Sequence, residues 1–88
     1  MVNNIDKYFK DEKLIMIPKK LASKLEIFSF FYDLFDEDKS YSGQEINDII
    51  KNYYPDYAII RRYLVDYKFI GRDDFGKVYK KIKGKGRT

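Results

Sequence analysis

Apolar side chains change their spacing several times along the chain, and each change marks a predicted element. The apolar run at residues 14–17 ends at Pro18. It predicts a short strand, because proline confines the preceding residue to extended geometry. From Lys19 onward the apolar residues recur every three or four positions, which predicts a helix of about 16 residues. The stripe that we expect to face the core consists of Leu21, Leu25, Phe28, Phe31 or Tyr32, and Phe35.

Two shorter helices are predicted in the middle of the chain, with a proline turn between them. Ser42 and Glu45 have the spacing of a capping box, in which each side chain accepts a hydrogen bond from the backbone amide of the other residue. The helix that begins there should end before Pro55, after about 11 residues. Asp56 offers an N-cap to a third helix, which is predicted to end near Tyr67.

The last part of the chain alternates with a period of two on both sides of a glycine-containing turn at residues 73–76. This pattern predicts a β-hairpin from residues 69–72 and 77–82. The resulting element order is typical of an α+β winged helix, with the second and third helices as its helix-turn-helix and the hairpin as its wing. The early strand is expected to complete a small antiparallel sheet. We expect one domain over residues 1–82 and a flexible basic tail over residues 83–88.

The net charge of +4 is concentrated at the C-terminal end of the 88-residue chain. Residues 77–88 contain six basic side chains and no acid, which leaves 12 basic and 14 acidic groups for residues 1–76. The body is therefore slightly acidic, and a positive face for nucleic acid would have to be assembled locally. The chain has no apolar run near the roughly 18 residues that span a bilayer and no signal-peptide pattern, so we expect a cytoplasmic protein without a membrane partner.

Composition and motifs give no support for an enzyme. The chain has no Cys and no His, which removes thiol catalysis, the commonest general base and the commonest metal ligands. Residues 71–77 match a phosphate-binding loop, but Val78 stands where Ser or Thr must bind magnesium. Residues 36–47 match part of a calcium loop, but Tyr41 and Asn47 replace its glycine and its bidentate glutamate. We expect no catalytic residue, no cofactor and no metal site.

Nucleic-acid binding is the remaining chemistry that the residue pattern indicates. In a winged helix the third helix enters the major groove and the wing contacts phosphate or the minor groove. The basic residues in those two elements are Arg61, Arg62, Lys68, Arg72, Lys77, Lys80 and Lys81. The arginines could equally be structural, because Arg62 and Asp66 have the spacing of an ion pair and Asp73 is nearby in sequence. The alternative to duplex DNA as a partner is a transcriptional regulator, or a second copy of the chain.

Three segments carry a family resemblance, namely Tyr41-x-x-x-Glu45-Ile46-Asn47, Arg61-Arg62-x-Leu64-Val65-Asp66, and Ile70-x-Arg72 with Gly76-x-x-Tyr79. They resemble a small bacterial family called domain of unknown function 2087. The resemblance implies a winged-helix-like domain that occurs alone or fused to helix-turn-helix transcriptional regulators, and it supplies no catalytic residues. Lys68 stands where members usually have glycine, and Gly43 stands where an acidic residue is common.

Overall fold

Three helices and two small antiparallel sheets make up the described part of the chain, which is residues 6–82 of the computed structural model. The tail predicted for residues 83–88 lies outside the described residues. After a 3-10 turn at Asp6–Tyr8, the elements are β1 Phe9–Lys10, β2 Lys13–Leu14, α1 Leu21–Tyr32, β3 Tyr41–Ser42, α2 Gly43–Lys51, α3 Tyr57–Asp66, β4 Ile70–Arg72 and β5 Val78–Lys81. Within these residues, no helix combines the length and the apolar surface needed to cross a membrane.

Helix α1 is shorter than the spacing predicts. It has 12 residues, and its buried side chains all lie in its C-terminal half, from Ile27 to Tyr32. Leu21, the first member of the predicted stripe, is exposed, because the first turn of α1 extends beyond the packed core. Tyr32 fastens the other end of the helix, since its hydroxyl donates to the carbonyl oxygen of Ile82 at 2.7 Å.

The capping box at the start of α2 is confirmed. The amide of Glu45 donates to Oγ of Ser42 at 3.1 Å, and the amide of Ser42 donates to Oε1 of Glu45 at 2.9 Å. Two of the free amides at a helix start are satisfied in this way. Asp56 occupies the N-cap position of α3 as expected, but its side chain makes no capping hydrogen bond there.

The end of α3 is a Schellman motif. The amide of Lys68 donates to the carbonyl of Val65 at 3.1 Å, and the amide of Phe69 donates to the carbonyl of Leu64 at 2.8 Å. Lys68 adopts a left-handed conformation with φ of 67°. A side chain other than glycine costs about 1 kcal/mol in this conformation, so Lys68 is less favourable there than glycine would be.

The core is built from one face of each helix and from aromatic rings. Ile46 and Ile50 of α2, and Ile60 and Leu64 of α3, are buried pairs spaced four residues apart. The ring of Phe28 in α1 is fully buried and has several aromatic neighbours. Its centroid is 5.1 Å from that of Tyr63, 5.4 Å from Tyr67 and 6.1 Å from Phe69.

The predicted C-terminal hairpin is confirmed, but the third strand of its sheet is not the early strand. The strand order is β3-β5-β4, and Tyr41 of β3 pairs with Tyr79 of β5. Tyr41 and the N-cap residue Ser42 therefore form the third strand of this sheet, the place that the sequence analysis gave to residues 14–17. With only two residues, β3 is too short to show alternation, which is why its pattern gave no signal.

Residues 9–14 form a separate two-stranded hairpin instead. Phe9 pairs with Leu14, and the two turn residues Asp11 and Glu12 have φ of 52° and 66°. Positive φ at both central residues is the geometry of a type I′ turn. The hairpin docks on the end of α2, where the amide of Leu14 donates to the carbonyl of Tyr53 at 2.8 Å. Residues 15–17 follow it as an extended segment outside any sheet.

Candidate functional site

A polar cleft of about 390 Å³ lies between helix α3 and the C-terminal hairpin. Four of its residues come from α3, one from the end of β4 and one from the middle of β5. The lining residues are Arg61, Arg62, Val65, Asp66, Arg72 and Tyr79. Three of the seven predicted nucleic-acid residues, all of them arginines, thus meet in one place.

Helix periodicity and strand pairing explain why these side chains meet. Arg62 and Asp66 are one turn apart on the exposed ridge of α3, and Arg61 and Val65 lie on the flank beside it. Arg72 is the direct cross-strand partner of Tyr79 in the register of β4 and β5. Directly paired residues project from the same face of a sheet, so Arg72 shares the face of Tyr79, and both line the cleft.

Arg61 is held in place by helix α2. Its Nη1 donates a hydrogen bond of 2.6 Å to Oδ1 of Asn47, and the arginine side chain is half-buried. The partner is a neutral amide, so the positive charge of Arg61 is not cancelled. Among the described residues, Arg61 makes no ion pair with a carboxylate. The contact fixes the direction of the guanidinium and leaves further N–H donors available, because arginine has five.

Arg62 and Asp66 form the ion pair that their spacing predicts, but the pair is loose. The distance from Nε to Oδ2 is 3.8 Å, and the two side chains are 83% and 58% exposed. Exposed pairs of this kind contribute about 0–1 kcal/mol to stability. The guanidinium of Arg62 is therefore free to turn toward another anion at little cost.

Arg72 lies along its own hairpin. A β-carbon at Gly76 would be 3.4 Å from Nη1 of Arg72, which is a tight contact. Gly76 also has φ of 67°, a conformation that side chains rarely adopt. Glycine at this position therefore serves the turn and also leaves room for the guanidinium beside it.

Asp73, the other acid expected near the arginines, is engaged within the turn. Its Oδ1 accepts hydrogen bonds from the amides of Lys77 at 2.7 Å and Val78 at 3.1 Å. These bonds, with the one from Val78 first in importance and Lys77 second, lower the pKa of Asp73 below its ordinary value. The carboxylate stabilises the hairpin turn that presents Arg72.

Tyr79 forms the floor of the cleft and is only 5% exposed. Its ring lies against the start of α2, where a β-carbon at Gly43 would be 3.6 Å from Cε1. The hydroxyl of Tyr79 makes no hydrogen bond to another residue in the range 6–82. In that range, every side-chain oxygen or nitrogen that is buried from solvent has a hydrogen-bond partner. The hydroxyl of Tyr79 is therefore in contact with solvent.

The four predicted lysines lie outside the cleft. Lys68 and Lys77 are exposed in the turns before β4 and before β5. Lys80 follows Tyr79 along β5 and thus projects from the opposite face of the sheet. Lys81 is already engaged, because its Nζ donates to the carbonyl of Phe35 at 2.9 Å and lies 4.1 Å from the ring centroid of Tyr32.

The lining of the cleft carries three guanidinium groups and one carboxylate, so its formal charge is +2. Guanidinium groups bind phosphate and carboxylate oxygens through two parallel hydrogen bonds. This chemistry suits an oxyanion. In the described part of the chain, no cluster of three or more acidic side chains that could hold a metal ion is present.

Sequence reasoning predicted neither Asn47 nor Tyr79 as a residue of the site. Asn47 orients Arg61, and Tyr79 forms the floor of the cleft. Neither is basic, so a search for positive charge passes over both. Each does belong to a segment that carries the family resemblance, and so does every one of the six lining residues.

A family model described as an uncharacterized protein conserved in bacteria (DUF2087) matches residues 13–81. The chain belongs to this family. The match spans every helix and both strands of the C-terminal hairpin, and thus includes the whole cleft. Comparison with curated proteins and with solved structures gives no match. The description of the DUF2087 family assigns it no activity, so the cleft is the feature that bears on function.

Proposed function

We propose that this DUF2087 protein is a non-enzymatic winged-helix module that binds duplex DNA weakly, in a role connected with transcription. The helix pair α2 and α3, joined by a short turn that contains Pro55, serves as the helix-turn-helix. The hairpin of β4 and β5 serves as the wing. The order of elements and the three-stranded sheet that ends the fold both support this interpretation.

The observation that carries the proposal is the convergence of three arginines at the junction of α3 and the hairpin. A DNA backbone that passes along this junction would meet Arg62 and Arg72 from the helix and the wing together. Charged contacts to phosphate fix the position of a protein on DNA without reading sequence.

The exposed face of α3 explains why the binding is proposed to be weak. Beside Arg62 it presents Ala58, which has no hydrogen-bonding side chain, and Asp66, which repels phosphate. Ile59 and Val65 flank these residues and are partly exposed. Base edges in the major groove are read mainly by hydrogen bonds, and this face offers few of them. The expected affinity is that of backbone binding, with dissociation constants on the order of 10⁻⁴–10⁻⁶ M.

The test is a titration of a fluorescent mixed-sequence duplex at about 50 mM and about 200 mM salt. The wild-type chain should bind and should weaken steeply with salt. The double variant Arg62→Ala, Arg72→Ala should bind more weakly and should reduce the salt slope by about 2, because about one counterion is released for each phosphate contact.

Lys80→Ala is the matched control, because it removes one charge from the opposite face of the same hairpin. It should leave the affinity within about twofold of the wild-type value, since screening limits its reach to about 10 Å. Deletion of residues 83–88 separates the cleft from tail electrostatics. Absence of binding at low salt, or loss of binding only on tail deletion, would overturn the proposal.

A protein-interaction or dimerisation module is the second candidate function. Three large apolar side chains, Ile15, Met16 and Leu21, are exposed within seven residues of one another, between β2 and the first turn of α1. Exposed apolar patches mark interaction surfaces. Sedimentation velocity over a range of concentrations tests this candidate: a dimer that Met16→Glu dissociates and that Arg62→Ala leaves intact would favour it over DNA binding.

A further inference from the structure

We propose that the cleft between α3 and the hairpin binds the dianionic phosphate group of a small phosphorylated compound. This proposal shares the arginines of the cleft with the proposed DNA contact, but it concerns a different ligand, a small phosphate monoester instead of the duplex backbone, and it holds whether or not a duplex binds. Charge, donor geometry and space each support it.

The charge of the lining matches a phosphate monoester. Three arginines and Asp66 give the cleft a formal charge of +2. A phosphate monoester carries about −1.5 to −2 at pH 7, since its second pKa is near 6. Each phosphate of a DNA backbone is a diester and carries a single negative charge. A dianion therefore neutralises the cleft more fully than a backbone phosphate does.

One of the three guanidinium donors is already oriented before any ligand arrives. Asn47 holds Arg61 by accepting a hydrogen bond from its Nη1, whereas Arg62 and Arg72 are exposed and can turn toward a ligand. A side chain fixed as Arg61 is loses less conformational entropy on binding than a free surface arginine. The side chain of Tyr79 also lines the cleft, and its hydroxyl, which has no hydrogen-bond partner among residues 6–82, is a further neutral donor. Together these groups supply a donor set for the oxygens of one phosphate.

The space in the cleft exceeds what a bare phosphate needs. Its volume of about 390 Å³ falls at the lower end of the range for small-molecule sites. Val65 and the ring of Tyr79 provide apolar wall beside the arginines. A compound with a compact organic group next to its phosphate would contact this wall while the phosphate oxygens contact the guanidinium groups.

The experiment is a titration followed by NMR of the arginine Nε–Hε groups in the full chain. The probes are phenyl phosphate, inorganic phosphate and dimethyl phosphate, each compared with sodium chloride at matched ionic strength. Phenyl phosphate should shift the resonances of Arg61, Arg62 and Arg72 in a saturable manner. Its affinity should fall as the pH is lowered through about 6, because the monoester becomes a monoanion.

Variants assign the binding to the cleft. Arg72→Ala should weaken phenyl phosphate binding by about tenfold or more, and Arg72→Lys should recover little of it, because lysine lacks the two-pronged donor geometry. Tyr79→Phe keeps the buried ring and should weaken binding by about threefold to tenfold. Lys80→Ala should have no effect.

Several outcomes would overturn the proposal. Equal affinities for dimethyl phosphate and phenyl phosphate would show that the cleft recognises diesters, in which case the ligand would be the DNA backbone. Shifts that sodium chloride reproduces, or that survive Arg72→Ala, would show ionic-strength effects without a site. Because duplex binding is measured separately, failure of the phosphate site and failure of DNA binding give different patterns of results.

Discussion

The two hairpins of this molecule have similar topology, but they differ in which of their residues are exposed to solvent. The N-terminal hairpin of β1 and β2 is turned inward: Leu14 is 3% exposed within the core, and Lys13 donates from Nζ to the carbonyl of Asn52 at 2.8 Å. The C-terminal hairpin of β4 and β5 projects outward only at its tip, where Phe75 is 82% exposed, whereas Ile70 and Tyr79 in its strands are 1% and 5% exposed. The N-terminal hairpin packs at the end of α2, and the C-terminal hairpin packs at its start through Tyr79 and also presents Arg72 to the cleft.

The turns of the two hairpins also differ in the residue types that adopt the left-handed conformation. The N-terminal turn places two non-glycine residues, Asp11 and Glu12, in the left-handed region. The C-terminal turn uses Gly76 for its left-handed residue and is braced by the carboxylate of Asp73. The C-terminal turn is thus built from favourable residues, while the N-terminal turn is strained and persists only because the structure around it holds it in place.

The largest expected effect contrasts an apolar residue from each hairpin. Leu14→Ala should lower the free energy of unfolding by about 2–5 kcal/mol, because it removes a buried side chain and leaves a cavity. Phe75→Ala should change it by less than about 0.5 kcal/mol, since the ring is in solvent. Urea denaturation measures both values. Equal losses for the two variants would show that the hairpins do not differ in structural role.

The second prediction removes the glycine from the C-terminal turn and introduces one into the N-terminal turn. Gly76→Ala should lower the free energy of unfolding by about 1 kcal/mol, because alanine is disfavoured at positive φ. Glu12→Gly should raise it by up to about 1 kcal/mol for the same reason, less the entropy that glycine loses on folding. Thermal denaturation monitored by circular dichroism compares the two variants. The effects must have opposite signs, and a loss of stability from Glu12→Gly would contradict the turn geometry.

Sequence reasoning anticipated the elements that have strong local signals. The capping box at Ser42 and the glycine turn near Gly76 each encode their geometry within four residues, and both are confirmed. The N-terminal hairpin was missed because its turn contains no glycine and its strands have two residues each. The strand at Tyr41 was missed because its pairing with Tyr79 is separated by 38 positions in the chain. Such pairing depends on tertiary packing, which local spacing does not record.

The candidate site was anticipated in its charges but not in its geometry. The periodicity of a helix puts Arg61 and Arg62 on adjacent flanks of α3, and that much follows from spacing. Their proximity to Arg72 depends on how the hairpin packs beside α3, which no pattern in the sequence specifies. Asn47 and Tyr79 carry no charge, so their contributions to the cleft emerge only from the contacts that they make.

The third prediction concerns Asp73, whose carboxylate accepts hydrogen bonds from two backbone amides in the C-terminal turn. Since hydrogen bonds lower the pKa of Asp73 in the folded chain, its ionised form stabilises the fold. That contribution is fully present above the unfolded pKa of about 3.9 and is lost as the pH falls through the lower folded value. The stability deficit of Asp73→Asn relative to wild type should therefore be constant above about pH 5 and should shrink below about pH 4.

Urea denaturation at several pH values measures this deficit, and Gly76→Ala is the matched control in the same turn. The cost of that substitution is conformational, so it should not change with pH. A deficit for Asp73→Asn that stayed constant down to about pH 3 would show that the charge of Asp73 does not stabilise the turn.

The smallest expected effect on stability compares one cation from each hairpin. Lys13→Ala should cost about 0.3–1 kcal/mol, because Nζ of Lys13 binds a carbonyl at the end of α2, where a positive charge is favourable. Arg72→Ala should change stability by less than about 0.5 kcal/mol, because its side chain is exposed and makes no ion pair with a described carboxylate. Phenyl phosphate binding should reverse the order, with Lys13→Ala unchanged and Arg72→Ala impaired. If both variants lost binding equally, general positive charge rather than the outward hairpin would attract the anion, and the functional distinction between the two hairpins would fail.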